Sequence, residues 1–239
     1  MKRPPGLTVI GTMDLSRLQS GQERNCRKEN KGPFARLGCA RHVMTDTEAG
    51  VLDGRFDSNI AEQGRADARS LGNKIRWFGI HVAFAPRYIR AMGTLEGLLE
   101  GKGQSAIDVR IVEKWLDPQD WGKLTGKKPL DLLEYSPEEM KRWKRTLDGK
   151  PPGGESRLEA MNRAADGYRQ EILPLLNDGK NVLVVSCGSP LAGIDMAVRG
   201  LDAEKTAWIA RHHGSIQFYD FEKNGCGIRL VGSNNHLQC

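Results

Sequence analysis

The residues with chemistry to offer sit where strand-like runs stop. Arg36–Val43 reads RLGCARHV, a short strand that ends in the pair Arg41-His42. A second run, Asn181–Ser186, reads NVLVVS and ends in Cys187. Strand ends are where an open α/β sheet builds its sites. A second pair, His212-His213, could ligate a metal, but neighbours on a strand point to opposite faces, so a strand-edge pair is expected there. Five cysteines (Cys26, Cys39, Cys187, Cys226 and Cys239) form no CxxC pair and no zinc-finger spacing. They read as reduced intracellular thiols, and neither a metal nor a cofactor is expected.

Strand and helix patterns alternate from Arg36 onward. Arg36–Ala40, His81–Ala85, Ala106–Glu113 and Asn181–Ser186 read as strands. The last is a continuous β-branched run of the kind found in a parallel sheet core. Glu62–Trp77, Arg90–Glu100, Pro137–Thr146 and Glu155–Leu176 read as helices by the spacing of their apolar residues. Trp115–Gly154 reads as an irregular insertion around the third of these. Ser189-Pro190 looks like an N-cap with proline at the first helical position, and Gly200 like the stop of that helix. Ser215–Glu222 and Ile228–Val231 flank the turn signal Lys223-Asn224-Gly225. Such alternation implies an α/β fold, a three-layer α/β/α sandwich with a mostly parallel sheet.

At 239 residues and 38% hydrophobic, the chain can bury one sizeable core. Residues 36–239 are expected to form it, with residues 1–35 as a basic, polar N-terminal extension. No apolar run approaches the ~18 residues of a membrane helix, and no signal-peptide core is present. The net charge of +6 favours anionic partners, phosphorylated small molecules or acidic proteins among them. Few aromatics stand among the basic residues, which argues against a nucleic-acid platform. The N-terminal segment holds three acids among its scattered Lys and Arg. It is expected to dock on protein partners in a larger assembly. Its Ser and Arg content suggests a mitochondrial address, with the cytoplasm as the alternative.

Arg41-His42 at the end of the first strand resembles the Arg-His-Gly motif of the histidine phosphatase superfamily, the phosphoglycerate-mutase-like proteins. Further segments agree in order. Asp53–Ser58 with Ala61–Arg65 resembles the loop and helix start that follow the motif. Arg90-Ala91-Met92-Gly93-Thr94 matches the Arg-Ala-x-x-Thr helix start, and Gly122–Gly126 the Gly-x-x-x-Gly segment. Pro152-Gly153-Gly154-Glu155-Ser156 matches Pro-Gly-Gly-Glu-Ser, Asn181–Leu191 the fourth-strand motif, and His213–Ile216 the late Asn-Gly-Ser-Ile strand. The resemblance implies that His42 attacks a phosphoryl group in line and carries it as phosphohistidine. Arg41 and Arg90 would clamp the phosphate oxygens, because the arginine fork meets two at once.

The chain departs from that pattern where turnover needs it most. The second histidine of the family falls on Cys187, and a thiol is a poor donor to phosphate. A Cys-x₅-Arg thiol mechanism fails as well, since Gly193 stands six residues on. The acid falls on Pro118, with Asp117 and Asp120 beside it as substitutes. The glycine after the nucleophile is Val43, whose side chain is expected to crowd the phosphate. The resulting expectation is a degenerate member that serves as a structural or assembly subunit and is more plausibly not an enzyme. The alternatives are a divergent phosphomonoesterase working through His42, with Asp117 or Asp120 as acid, and a non-catalytic binder of a phosphorylated ligand.

Overall fold

The computed structural model describes residues 33–47, 50–225 and 227–237, with side chains as far as residue 233. The expected N-terminal extension and its docking lie outside these residues, apart from its last three. Six strands form one sheet: β1 (Ala35–Arg41), β2 (Val82–Pro86), β3 (Asp108–Val112), β4 (Val182–Ser186), β5 (Ile216–Asn224) and β6 (Gly227–Leu237). Their order across the sheet is β3-β2-β4-β1-β5-β6. The first four are mutually parallel, β5 is antiparallel to β1, and β6 is antiparallel to β5.

Alternation along the strands divides the core in two. Val182 and Val184 of β4, with Leu37 and Cys39 of β1, face one layer of helices. That layer is α4 (Arg157–Gly167), α5 (Leu173–Asn177) and α6 (Gly188–Arg199). Leu183 and Val185, with Ala40, face the other layer, formed by α1 (Glu62–Lys74) and α2 (Ile89–Lys102). A strand whose residues are apolar at every position must be buried on both faces, and this sandwich supplies both. Two shorter helices, α3 (Pro137–Arg145) and α7 (Ala203–Ala207), lie outside these layers. Ser136 and Ser156 open α3 and α4 with capping boxes, each accepting from the N–H of a glutamate three residues on.

Three elements differ from the sequence expectation. The helix expected over Glu155–Leu176 is α4, then a π-helical turn at Tyr168–Ile172, then α5. Pro174 has no N–H to continue an α-helical ladder, and the wider turn before it absorbs the mismatch. Helix α6 begins at Gly188, with Cys187 rather than Ser189 as its N-cap, which leaves Pro190 third in the helix. The Ser189 hydroxyl donates instead to Gln119 Oε1 at 3.1 Å. Gly200 does end α6, in the left-handed conformation that suits glycine (φ 63°). Third, His212-His213 lies in the loop before β5, not on a strand edge.

The contact between α4 and α6 has no room for a side chain at Gly193. A Cβ there would sit 2.0 Å from the Met161 carbonyl oxygen. Gly193→Ala is therefore expected to cost about 1–3 kcal/mol by overpacking. Gly79→Ala, where a Cβ meets nothing within 4 Å, is expected to stay within about 0.5 kcal/mol of wild type. Paired thermal melts check both, and equal melting temperatures would contradict the packing argument.

Candidate active site

The parallel register places Arg41 opposite Ser186, so the chain leaves β1 and β4 at the same edge of the sheet. The N–H of His42 donates to the Ser186 carbonyl at 3.0 Å, which sets Arg41-His42 beside Cys187. Antiparallel β5 enters from that same edge. The Arg41 N–H donates to the Ser215 carbonyl (2.9 Å), and the Gly214 N–H to the His42 carbonyl (3.2 Å). The start of α2 brings Arg90. These strand ends, the loop through Asp53 and the start of α6 enclose a cleft of about 450 Å³.

His42, Arg41 and Arg90 all line this cleft, as do Pro118 and Cys187. His42 is buried and its Nδ1 lies 2.8 Å from the Val43 carbonyl. A carbonyl only accepts, so Nδ1 carries the proton and Nε2 keeps its lone pair. Burial, then the nearby Arg90 and Arg41, push the imidazole down to about 3 against a weaker pull from the Val43 bond. The ring is thus neutral at ordinary pH and offers an unprotonated nitrogen.

The two arginines are held in different ways. Arg90 is buried, and it donates through Nη1 to the Phe56 carbonyl (2.6 Å) and through Nη2 to the Gly54 carbonyl (2.5 Å). It thereby folds the Asp53–Ser58 loop over the cleft. Arg41 donates through Nη1 to the Arg211 carbonyl, and its Nη2 lies 2.7 Å from His213 Nε2. The Nε atoms of both arginines are buried without a protein partner. A buried donor left unpaired is costly, and an anion in the cleft would satisfy it. The first turn of α6 adds to this, because Gly188 and Ser189 line the cleft at the positive end of the helix.

The expected substitute acids are elsewhere. Neither Asp117 nor Asp120 is among the cleft-lining residues. Asp120 Oδ1 accepts from the Gly122 N–H at 2.7 Å, and its Oδ2 pairs with Arg55 at 3.1 Å. Asp117 is buried. Arg163 of α4 takes the carbonyls of Asp117 (2.7 Å) and Pro118 (3.1 Å) and so fixes the backbone that turns Pro118 and Gln119 to the cleft. Val43 does not crowd the cleft either. Its side chain packs with Ile60 and Ala68, and its N–H bonds to the Thr94 hydroxyl at 3.1 Å.

Three cleft residues had no role in the sequence reading: Asp53, Arg157 and, as a site residue, His213. Asp53 Oδ1 is buried without a hydrogen-bond partner. Arg157 lies 4.7 Å over the Trp208 ring and donates to the Ala207 carbonyl at 3.3 Å. The ring of His213 stands 5.0 Å from that of His42. Partial burial, then Arg41 and His42, bring His213 down to about 4. The one usable signal was local: Asp53 opens, and Arg157 directly follows, a segment that carries the family resemblance. His213 stands where the family has asparagine. Among the described residues no cluster of three or more His, Cys, Asp or Glu side chains is placed to hold a metal ion. Nor is any described helix long and apolar enough to cross a membrane.

The family model for the histidine phosphatase superfamily, branch 1, matches residues 37–234. A 2,3-bisphosphoglycerate-dependent phosphoglycerate mutase of Parvibaculum lavamentivorans is 30% identical over 197 residues, 81% of this chain and 93% of that protein. The corresponding mutase 2 of Gloeobacter violaceus is 35% identical over 159 residues, 64% of this chain and 72% of that protein. Among solved structures, a mycobacterial glucosyl-3-phosphoglycerate phosphatase in complex with VO3 is similar with a TM-score of 0.68 at 20% identity, covering 82% of this chain and 96% of that one. The α-ribazole phosphatase of Shigella flexneri gives a TM-score of 0.67 at 20% identity, covering 84% and 96%. At those identities the two structures speak for the fold alone.

Proposed function

The chain belongs to the histidine phosphatase superfamily, and on that premise we propose that its cleft binds the phosphoryl group of a phosphomonoester and turns it over slowly or not at all. One observation carries this reading. A neutral His42 with its Nε2 free shares the cleft with Arg41 and Arg90, while positions 118 and 187 hold a proline and a thiol. The nucleophile's side of the transfer has its parts. His42 Nε2 can attack phosphorus in line, forming the N–P bond as the ester P–O bond breaks, with arginine charge on the equatorial oxygens. The leaving-group side of the same step lacks them. The alkoxide that departs needs a proton, and Pro118 has none to give. The relatives named as mutases support a phosphate ester as the ligand class.

The test is calorimetric titration with inorganic phosphate, beside a phosphate-release assay with an alkyl phosphomonoester, glycerol 2-phosphate. Wild type is expected to bind phosphate, and Arg41→Gln to bind it about 10-fold or more weakly, the loss of one charge-assisted contact. Hydrolysis at the ordinary 1–10³ s⁻¹ would overturn the slow-turnover half of the reading. Absence of binding would overturn the rest.

A second reading, a working phosphomonoesterase, is favoured by Asp53, whose unpartnered Oδ1 puts a carboxylate at the cleft. It requires an acid-labile phosphohistidine that disappears in His42→Ala. The assembly role draws on the net charge, the residues at 118 and 187 and the N-terminal extension, and the mitochondrial address on that extension, of which residues 1–32 lie outside the described residues.

A further inference from the structure

We propose that Asp195 is a positioning residue that aims Arg41 into the cleft by way of Arg211. The proposal rests on the phosphate-binding reading. Arg41 is the last residue of β1, so its backbone is held by the sheet while its long side chain is not. What sets the direction of the guanidinium is what its terminal nitrogens hold. Both acceptors come from one short segment: the Arg211 carbonyl takes Nη1 and His213 Nε2 takes Nη2. That segment lies in the loop between α7 and β5, with no ladder of its own.

The Arg211 side chain anchors the loop. Its Nη1 donates to the carbonyls of Thr206 (3.2 Å) and Ile209 (3.1 Å), which gathers the loop onto itself. Its Nη2 donates to Asp195 Oδ2 at 2.8 Å, which ties the loop to α6. Asp195 is 3% exposed. A buried carboxylate in a helix of mostly small and apolar residues is costly unless it is paired, and here both oxygens are used. Oδ1 accepts from the Tyr219 hydroxyl (2.8 Å) and pairs with Arg199 Nε (3.1 Å), leaving Oδ2 to Arg211. Arg211 is itself little exposed, so its bond to Asp195 is poorly screened and strongly directional. The same helix presents Gly188 and Ser189 to the cleft. Asp195 thus couples the helix end that faces the anion to the loop that orients the arginine.

The relay is one of placement, with no proton transferred. Without the carboxylate, the Arg211 guanidinium keeps its own loop but loses its hold on α6, and the two acceptors of Arg41 drift. Displacements well under 1 Å matter for a bidentate contact, since about 1 Å can cost 10²-fold in a positioned site.

Three variants separate placement from mere stability. Asp195→Asn keeps the size of the side chain and removes its charge. Arg211→Lys keeps the charge and removes the fork. Tyr219→Phe takes a partner from Oδ1 but leaves the Arg211 bond and the Arg199 pair in place. Phosphate affinity is read by calorimetry, and the His213 imidazole is followed by NMR across pH. Asp195→Asn and Arg211→Lys are expected to weaken phosphate binding about 10-fold, and to raise the His213 midpoint from about 4 as Arg41 loosens from it. Tyr219→Phe is expected to lower the melting temperature yet leave both readouts at wild-type values. If Asp195→Asn does not fold, Arg211→Lys decides by the same readouts. Wild-type binding retained in a folded Asp195→Asn or Arg211→Lys overturns the proposal alone. No phosphate binding by wild type overturns it together with the reading it rests on.

Discussion

A variant carrying both Pro118→Glu and Cys187→His is expected to hydrolyse an alkyl phosphomonoester, glycerol 2-phosphate read by phosphate release, about 10³-fold faster than wild type. The expectation follows from where the two positions are, since both line the cleft that holds His42. A carboxylic acid at 118 would give its proton to the departing oxygen, a contribution of about 10²–10⁴ in comparable sites. An imidazole at 187 would donate to a phosphate oxygen at the start of α6, where a thiol donates weakly. The two gains are not additive, because each helps the same transition state. The backbone at 118 is already fixed by Arg163, so a new side chain there inherits its direction. The rates of the double variant and of each single variant are compared, with His42→Ala as the background in which the gain must vanish. A folded double variant that binds phosphate and still fails to accelerate hydrolysis would place the defect elsewhere than in these two positions.

Acid stability gives the second large effect. His42 is held down to about 3 in the folded chain, against an ordinary value near 6.5. Between those two values the unfolded chain binds a proton that the folded chain refuses, so stability falls as pH falls through 6.5 and levels off only below about 3. Down to pH 4 the loss from His42 alone is about 3 kcal/mol, at 1.36 kcal/mol per unit. The cause is first burial and then Arg90 and Arg41, both of which oppose a cation in the ring. His42→Asn cannot take up that proton. Its stability is expected to fall with pH by about 3 kcal/mol less over the same interval, whatever its stability at pH 7. Urea unfolding at pH 7, 5.5 and 4 compares the two slopes. Parallel slopes would mean that His42 titrates normally and that its cleft is wet.

Much of the fold was legible because its signals are local. The NVLVVS run is apolar at every position, and only a strand covered on both faces has use for that. Ser136 and Ser156 each precede a glutamate at the spacing a capping box requires. The two runs that end in Arg41-His42 and in Cys187 could each be read as strands from the sequence, and the structure made them parallel neighbours. The start of helix α6 and its cap both lie two residues before the positions expected. Ser189-Pro190 is a sound local start signal, yet the end of β4 hands the chain directly to Gly188, and the Ser189 hydroxyl finds Gln119 some seventy residues away.

The site was less legible, for the same reason reversed. Asp120 looked free to serve as an acid, but Arg55 and the Gly122 N–H claim it. Val43 looked obstructive, but Ile60 and Ala68 give its side chain a pocket of its own. His213 looked like a strand-edge residue until the loop before β5 turned it against Arg41 and His42.

By itself the sequence determined the order of strands and helices and the residue types at each strand end, with a cysteine at 187 and a proline at 118. Those are matters of identity and of neighbours a few residues apart. The tertiary structure alone decided which side chains share the cleft, which proton His42 keeps, and that Arg41 is aimed by residues some 170 positions further along the chain. Direction and protonation depend on partners brought together by the sheet, and no pattern along the chain encodes the distance between them.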